Sequence, residues 1–354
     1  MDILDSVQRI KAIDPGGMYD RIYNFPEQID DAAEIGKRLK PETGLAKNIK
    51  NIIITGMGGS AIGGDIIRTY LAGTAKFPIL VNRHYRLPAF IDNNSLVVAS
   101  SYSGNTEETL SAFEDARSRE AKIICITTGG ELGERAGKYG LMTIKLPEGY
   151  QPRAALGYSF IPMLFLFSKM GLTNDVAGDV AGLVPGLKKY REQYAVEIKG
   201  NENPAKLLAQ KLHGKIPLIY TGPELTGAVG LRWKGQICEN AKMLAFNNQF
   251  SEFNHNELVG WEKIENYRDN LIAVFLRDNG DHPQIKKRMT VVRSVIERQG
   301  VEVIEISSQG DFPLGRIFSL IQLGDFASFY LAVLNQVDPT PIKVIDFLKD
   351  QLTQ

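Results

Sequence analysis

The sequence predicts an α/β protein built from two tandem domains, each a mostly parallel sheet flanked by helices. Short apolar runs rich in Ile and Val alternate with helical segments along most of the 354-residue chain. Such runs are typical of parallel strands that are covered on both faces. The same order of strand, glycine-containing loop and helix begins after residue 48 and again after residue 205. This repetition predicts two α/β domains of similar size.

The first domain is predicted for residues 48–198, after an N-terminal helical segment, 1–47, that Pro15-Gly16-Gly17 interrupts. The pattern of β-branched and apolar residues predicts strands at 51–55, 78–82, 95–100, 121–127 and 141–145. Helical spacing predicts helices at 61–71, 107–119 and 132–138, and a mostly helical stretch at 174–205.

The second domain is predicted for residues 205–354, after a linker rich in Gly, Asn and Pro at 199–204. Its apolar runs predict strands at 216–220, 271–276 and 301–306. Its helices are predicted at 225–239, 283–299 and 315–336, followed by a C-terminal helix. The two domains therefore share one α/β pattern.

The composition excludes several classes of protein. Apolar residues make up 44% of the chain and charged residues 23%, which is typical of a globular protein and excludes disorder and fibres. Lys and Arg together number 41, as do Asp and Glu. The chain thus has no basic excess for binding nucleic acid or an anionic membrane, and any anionic ligand must be bound locally.

Cysteine usage and the apolar runs favour a cytoplasmic protein. Cys125 and Cys238 are too few and too far apart for a disulfide framework or a zinc site. The first residues lack the features of a signal peptide. The longest apolar run, 160–167, is far shorter than the ~20 residues of a membrane span. We expect no membrane partner.

A glycine-rich turn, 56–64, follows the first predicted strand. Glycines at such a turn let the backbone approach an anion at the positive end of a helix. A Walker loop is excluded because no Lys-Ser/Thr follows the glycines. A dinucleotide-binding fingerprint matches in part, but Val81-Asn82-Arg83 replaces the expected ribose-binding acid. A simple packing turn also fits this pattern.

A second motif, 100–108, follows the strand at 95–100 and opens a helix. It carries three hydroxyl residues, Ser101, Ser103 and Thr106, next to the free N–H groups of a helix N-terminus, where a phosphate is favoured. An Asn105…Glu108 capping box would explain two of its residues. It would not explain three hydroxyls, so the motif predicts a phosphate site built from neutral donors.

These two motifs, Gly-Met-Gly-Gly-Ser and Ser-x-Ser-Gly-x-Thr, resemble the sugar isomerase (SIS) domain family. Segments 152–158, 234–240 and 252–257 narrow the resemblance to the bifunctional phosphoglucose/phosphomannose isomerases, over roughly residues 45–350. The resemblance implies two SIS-type domains. It also implies aldose–ketose isomerisation of hexose 6-phosphates through a cis-enediolate, which requires no metal ion and no redox cofactor.

The resemblance assigns a role to each matching residue. Glu239 matches the base, Arg153 the guanidinium that stabilises the enediolate, His255 the ring-opening acid/base, and Lys343 a lysine that assists ring opening or contacts the sugar. On local evidence alone, Arg153 and Lys343 fit solvated side chains, and Glu239 fits a helix-end pair with Lys242. The implied substrate-binding residues are Ser101, Ser103 and Thr106 for the phosphate and Gly58, Gly59 and Ser60 for the sugar.

Gln336 departs from the family pattern. It lies seven residues before Lys343, where dual-specificity members have threonine and conventional phosphoglucose isomerases have glutamine. We therefore expect a tighter pocket beside C2, with glucose 6-phosphate isomerisation and a weaker mannose 6-phosphate activity. The family also implies a homodimer in which His255 reaches the neighbouring subunit's site.

Three other classes of protein are weighed against this interpretation. The isomerase half of an aminosugar synthase would need a glutaminase domain with an N-terminal cysteine, and position 2 is Asp2. A non-catalytic sugar-phosphate sensor could discard Glu239, His255 and Arg153, which this chain has. An NAD(P) enzyme would show bound nicotinamide absorbance.

Overall fold

The structure, a computed structural model, describes residues 3–352 and confirms the predicted α/β class. Its strands are β1 (Asn51–Thr55), β2 (Ile79–Asn82), β3 (Ser95–Ser100), β4 (Lys122–Thr127), β5 (Met142–Lys145), β6 (Ile216–Thr221), β7 (Phe246–Gln249), β8 (Leu271–Arg277) and β9 (Val303–Ser307). Its α-helices are α1 (Val7–Ile13), α2 (Met18–Tyr23), α3 (Phe25–Arg38), α4 (Gly58–Tyr70), α5 (Glu107–Ser118), α6 (Gly130–Lys138), α7 (Leu156–Lys169), α8 (Ala177–Tyr194), α9 (Pro204–Leu212), α10 (Gly227–Ala241), α11 (Glu257–Gly260), α12 (Pro283–Arg298), α13 (Pro313–Leu334) and α14 (Lys343–Leu352). Short 3-10 helices at Ile3–Asp5, Pro152–Ala154, Glu252–His255, Trp261–Lys263 and Arg268–Asn270 complete the described chain.

The described chain folds into two compact units. The first unit contains residues 24–185, and the second unit contains residues 3–23 together with 186–352. The division after residue 185 falls inside α8, next to Pro185. The domain ranges predicted from the repeating strands, 1–47, 48–198 and 205–354, stay a prediction.

The sheet of the first unit is parallel, with the strand order β2-β1-β3-β4-β5. Successive side chains of each strand point to opposite faces of the sheet. On one face, the paired residues Ile53, Val97 and Ile123 lie side by side and form a cluster with Phe113 of α5. The other face packs against α4, where an added Cβ at Gly64 would lie 2.8 Å from the Ile54 side chain. Burying each such aliphatic side chain contributes roughly 1.5–3 kcal/mol.

The strand order places the glycine-rich and hydroxyl-rich loops together. From β1 the chain crosses to β2 on one side, and it returns to β3 on the other side of β1. The carboxyl ends of β1 and β3 are therefore neighbours at the point where the order reverses, the position at which open α/β sheets bind ligands. Loop 56–60 follows β1 and loop 101–106 follows β3. The predicted substrate-binding residues thus share one edge of the sheet.

The sheet of the second unit is also parallel, with the order β7-β6-β8-β9. The three predicted strands are found, and β7 is an addition that the sequence analysis missed. Its residues, Phe-Asn-Asn-Gln, are mostly polar, and they form an edge strand paired with β6. One face of this sheet is covered by an aromatic cluster in which Tyr220 packs on Phe253, with ring centroids 4.5 Å apart.

Helix α13 forms the core of the second unit. It is long and apolar enough to cross a membrane by length and composition alone, but almost all of it is buried inside the protein. It packs against α9 and α10, and Trp233 of α10 donates a hydrogen bond to the carbonyl of Leu320, at 2.9 Å. Its hydropathy is therefore that of a core helix.

Candidate active site

Loop 56–60 brings the start of α4 against two other loops. Gly58 has a left-handed φ of 46°, which favours glycine, and an added Cβ at Gly59 would lie 2.5 Å from the carbonyl of Pro152. The Ser60 hydroxyl accepts a hydrogen bond from the N–H of Tyr102 at 3.0 Å. Both glycines are therefore required by backbone geometry, and the Ser60 hydroxyl joins the loop after β1 to the loop after β3.

The three predicted hydroxyls lie together at the N-terminus of α5. The Ser101 and Thr106 hydroxyls are 2.9 Å apart, and Ser101 also accepts the N–H of Gly104 at 3.1 Å. Ser103 is exposed and accepts the N–H of Asn105 at 3.3 Å. Donor-rich groups at the positive end of a helix form a site suited to a phosphate.

The capping-box alternative for this motif is wrong. The N-cap of α5 is Thr106, and its hydroxyl contacts Ser101 instead of closing the helix. Asn105 points elsewhere, because its side-chain oxygen accepts the N–H of Glu131 at 3.0 Å. The hydroxyls of this loop are therefore not explained by helix capping.

Arg153 is buried, with 3% of its surface exposed. It lies in the 3-10 helix Pro152–Ala154, and an added Cβ at Gly59 would lie 2.7 Å from its backbone nitrogen. Gln28 of α3 fixes the following turn, since it donates to the carbonyl of Ala154 at 2.8 Å and accepts from the N–H of Gly157 at 2.7 Å. The alternative of a solvated arginine is therefore excluded, and Arg153 is held beside the start of α4.

In the second unit, Glu239 and Lys343 line the same cavity, of about 620 Å³. Glu239 lies in the last turn of α10, and Lys343 is the first residue of α14. Lys242 follows α10 and has a left-handed φ of 56°. Its Nζ donates hydrogen bonds to the backbone carbonyl of Glu239 and, at 3.1 Å, to that of Pro339. A volume of this size is typical of a small-molecule site. The structure thus brings together two predicted catalytic residues that are far apart in the sequence.

A buried polar ladder fixes the rotation of α10 about its axis. Asp325 of α13 accepts hydrogen bonds from Arg232, at 2.6 and 3.1 Å, and from Gln236, at 2.8 Å. Asn240 donates to Ser328 at 2.9 Å. Burial raises the pKa of Asp325, and the bonds from Arg232 and Gln236 oppose that rise.

The sequence analysis missed this ladder. Residues 232, 236 and 240 are polar and recur every four positions, so they occupy one face of α10. Their partners on α13 are polar residues inside an otherwise apolar helix. These two patterns are the signal that could have indicated the ladder, although neither gives the pairing.

His255 and Gln336 are not among the residues that line the Glu239 cavity. His255 is exposed at the end of the 3-10 helix Glu252–His255. Gln336 is also exposed. It follows α13 with a left-handed φ of 53°. The N–H of Val337 donates a hydrogen bond to the carbonyl of Ala332 at 3.1 Å and closes this turn. Val337 and not Gln336 borders the cavity.

In the second sheet the strand order reverses between β6 and β8. Carboxylates lie beyond the carboxyl ends of these strands. Asp278 accepts hydrogen bonds from Arg316 and Ser308, and its N–H donates to Asp281 at 2.9 Å. Burial, with the nearby charges of Asp278 and Glu224, raises the pKa of Asp281 to about 6. Anionic side chains would repel a phosphate, so the hydroxyl site of the first unit is not repeated here. Within residues 3–352, no three His, Cys, Asp or Glu side chains cluster as a metal site.

The parallel sheets, with hydroxyl donors where the strand order of the first sheet reverses, define a protein of the SIS class. The sequence model of the SIS domain matches residues 46–170, and that of the bacterial phospho-glucose isomerase C-terminal SIS domain matches residues 201–352. Two relatives, both named bifunctional phosphoglucose/phosphomannose isomerase, support the same class. The protein of Caldicellulosiruptor bescii is 49% identical over 95% of this chain and 99% of its own, and that of Aquifex aeolicus is 36% identical over 87% and 93%. The chain belongs to the bifunctional phosphoglucose/phosphomannose isomerase family, which confirms the resemblance predicted from the motifs.

Solved structures confirm the fold. A hypothetical protein of Thermus thermophilus superposes with a TM-score of 0.74 at 14% identity, covering 98% of this chain and 93% of its own. A glucose-6-phosphate isomerase like protein of the same organism gives a TM-score of 0.65 at 18% identity, covering 98% and 100%. At these identities the similarity concerns the fold alone.

Proposed function

We propose that the protein catalyses the reversible isomerisation of glucose 6-phosphate and fructose 6-phosphate through a cis-enediolate. The observation that carries the proposal is the cavity that Glu239 and Lys343 line together. A carboxylate and an ammonium group beside one cavity are suited to proton transfer next to a carbonyl. The names of the relatives support an enzyme over a sugar-phosphate sensor.

The substrate phosphate is assigned to the hydroxyl-rich loop. Ser101, Ser103 and Thr106, with the N–H groups that open α5, would donate hydrogen bonds to the phosphate oxygens. The close approach of Gly59 to the backbone next to Arg153 leaves no room for a side chain at this position. Gly58, Gly59 and Ser60 would approach the sugar.

Ring opening is assigned to His255 and Lys343. Opening moves a proton from the C1 hydroxyl to the ring oxygen, and an imidazole can carry a proton near neutral pH. His255 is exposed and does not line the Glu239 cavity. This placement supports the expectation that each histidine acts in the site of a neighbouring subunit, so we propose a homodimer.

Isomerisation is assigned to Glu239 and Arg153. The Glu239 carboxylate would remove the C2 proton of the open aldose, the C2–H electron pair would form the C1=C2 double bond, and the carbonyl electrons would move to O1. The guanidinium of Arg153 would stabilise the enediolate. Transfer of the O2 proton to O1 and return of a proton from Glu239 to C1 would give fructose 6-phosphate.

Activity on mannose 6-phosphate follows from the same intermediate, because the two aldoses differ only at C2, which is planar in the enediolate. We propose that this activity is weaker than that on glucose 6-phosphate. If Gln336 narrows the space beside C2, Gln336→Thr should raise the kcat/KM for mannose 6-phosphate relative to glucose 6-phosphate. Threonine is strained at the φ of 53° found here. Gln336→Asn, which tolerates this conformation, is the matched control for a shorter side chain.

The test is incubation of the EDTA-treated protein with fructose 6-phosphate in D₂O. We expect glucose 6-phosphate as the main product, less mannose 6-phosphate, and deuterium at C2 from exchange on the base. If neither glucose 6-phosphate nor mannose 6-phosphate forms, the proposed function is wrong. The free Cys125 and Cys238 thiols support a reducing compartment, and we propose a cytoplasmic location.

A further inference from the structure

Tyr102 lies in the middle of the hydroxyl-rich loop, and its side chain hydrogen-bonds to a different loop. Its side chain is 8% exposed, and its hydroxyl donates a hydrogen bond to the carbonyl of Pro147 at 2.7 Å. The same hydroxyl accepts the N–H of Tyr150 at 3.1 Å. One phenol therefore closes both ends of a short turn at residues 147–150.

That turn leads directly into Arg153. We name residues 146–153 the arginine strap, because they run from the end of β5 into the 3-10 helix that holds Arg153. The strap is exposed at Glu148 and Gly149. The two bonds that the Tyr102 hydroxyl makes, with Pro147 and Tyr150, flank this exposed part and restrict its movement.

The backbone of Tyr102 is fixed from the other side. Its N–H donates to the Ser60 hydroxyl at 3.0 Å, and its carbonyl accepts both the N–H and the hydroxyl of Thr128, at 3.0 and 2.8 Å. Tyr102 thus connects the loops after β1, β3 and β4 with the strap after β5. Because both its N–H and its carbonyl are hydrogen-bonded, the backbone of Tyr102 is fixed, and its side chain can hold the strap in a defined position.

We propose that Tyr102 is a positioning residue for Arg153, acting through the strap. The proposal rests on the proposed function for the role of Arg153 in stabilising the enediolate. Tyr102 itself touches no reacting atom. It sets the distance between the loop assigned to the phosphate and the guanidinium assigned to the enediolate. A displacement of about 1 Å at such a group can cost up to about 100-fold in rate.

The test replaces the hydroxyl alone. Tyr102→Phe keeps the ring and the backbone bonds to Ser60 and Thr128, and it removes both bonds to the strap. We expect kcat for fructose 6-phosphate to fall about tenfold while KM stays within about twofold, because the lost interaction belongs to the transition state. Hydrogen exchange in a peptide covering 146–153 should become faster.

Tyr70→Phe is the matched control. It removes a phenol hydroxyl that donates to Asp179, and neither residue belongs to the strap. This variant loses a hydroxyl bond of the same unit and leaves both bonds from Tyr102 to the strap in place. We expect its kcat to stay within about twofold of the wild-type value.

A double-mutant cycle with Arg153→Lys separates positioning from a general loss of structure. If Tyr102 acts through Arg153, Tyr102→Phe should change kcat less than about twofold in the Arg153→Lys background. Multiplicative effects of the two substitutions would overturn the proposal, as would a wild-type kcat or unchanged strap exchange in Tyr102→Phe. An inactive wild-type protein would instead refute the proposed function, and the exchange measurement would still decide whether the phenol holds the strap.

Discussion

Glu239 is the residue on which the proposed chemistry depends most directly. It lies in the last turn of α10, half-buried at the wall of the cavity that Lys343 also lines. We predict that Glu239→Gln lowers kcat by about 10²–10⁴-fold, because an amide keeps the shape of the side chain but cannot accept the substrate proton. Steady-state kinetics with fructose 6-phosphate checks this.

The matched control is Glu262→Gln, an exposed carboxylate of the same unit. Its kcat should equal that of the wild-type protein. Deuterium exchange into the substrate should be lost in Glu239→Gln together with product formation. Near-full activity in Glu239→Gln would place the base on another residue.

Asp281 makes the stability of the second unit depend on pH. Burial raises its pKa from 3.8 to about 6, so between these values the folded state binds a proton that the unfolded state has released. The stabilisation of the folded state by this extra proton is complete below pH 3.8 and is lost as the pH rises through about 6. Converted at about 1.4 kcal/mol per pKa unit, it amounts to up to about 3 kcal/mol.

Asp281→Asn should remove that dependence, because an amide stays neutral and keeps an oxygen for the N–H of Asp278. We predict that the variant is more stable than the wild-type protein at pH 7 and loses this advantage towards pH 4. Urea denaturation across that range measures the free energy of unfolding. Parallel pH profiles for the two proteins would contradict the prediction.

The sequence predicted the clustering of candidate side chains best where one loop contains them. Ser101 and Thr106 are five residues apart at the start of a helix, and their hydroxyls meet at 2.9 Å. The burial of Arg153 could not be predicted, because it depends on the contact between its backbone and Gly59, on a different loop. The partners of Tyr102 are likewise set by the fold.

Helices α10 and α13 are held together by charge as well as by apolar packing. Asp325 and Arg232 are both 5% exposed. Removing one partner of a buried pair leaves the other charge without compensation, so we predict that Asp325→Ala costs about 3–5 kcal/mol of folding free energy. Ser328→Ala removes only neutral bonds, from Asn240 and to the backbone carbonyl of Asp325, and should cost about 1–2 kcal/mol.

The double variant Arg232→Met, Asp325→Leu tests the cause of that loss. It removes both charges and fills the space with apolar groups, so its stability should exceed that of Asp325→Ala. Urea unfolding of the three variants gives the comparison. If the double variant is less stable than Asp325→Ala, the loss comes from packing and not from an unpaired charge.

At the level of elements, the prediction succeeded for strands with a strong apolar pattern. All the residues of β3 are buried, and such a strand reads as one apolar run. Strand β7 was missed because Asn247, Asn248 and Gln249 carry no such pattern. Its position is set by backbone pairing with β6, and that partner is remote in the sequence.

The whole molecule is proposed to act as a homodimer with shared sites. We predict that inactive His255→Ala and inactive Glu239→Gln chains regain activity when mixed, because one site of the heterodimer then holds both native residues. With random exchange, about half of the chains form heterodimers, each with one intact site, so about a quarter of the wild-type activity is expected. Activity measured after subunit exchange gives the result.

Subunit exchange is verified by mass spectrometry of dimers whose two chains carry different isotopes. Mixing His255→Ala with a second preparation of His255→Ala is the control and should stay inactive. If heterodimers form and no activity returns, each site is complete within one chain.

The second unit combines residues 3–23 with residues 186–352, so the chain segments that form it are synthesised at different times. In that unit Tyr19 of α2 packs against Phe326 and Phe329, yet it is translated long before them. At roughly 5–20 residues per second, about 8 to 33 s separate the translation of residue 23 from that of residue 186. The contiguous first unit can fold on the ribosome during that interval, whereas α1 and α2 must wait with their apolar faces uncovered. We therefore expect α1 and α2 to be accessible to chaperones until α13 has been translated.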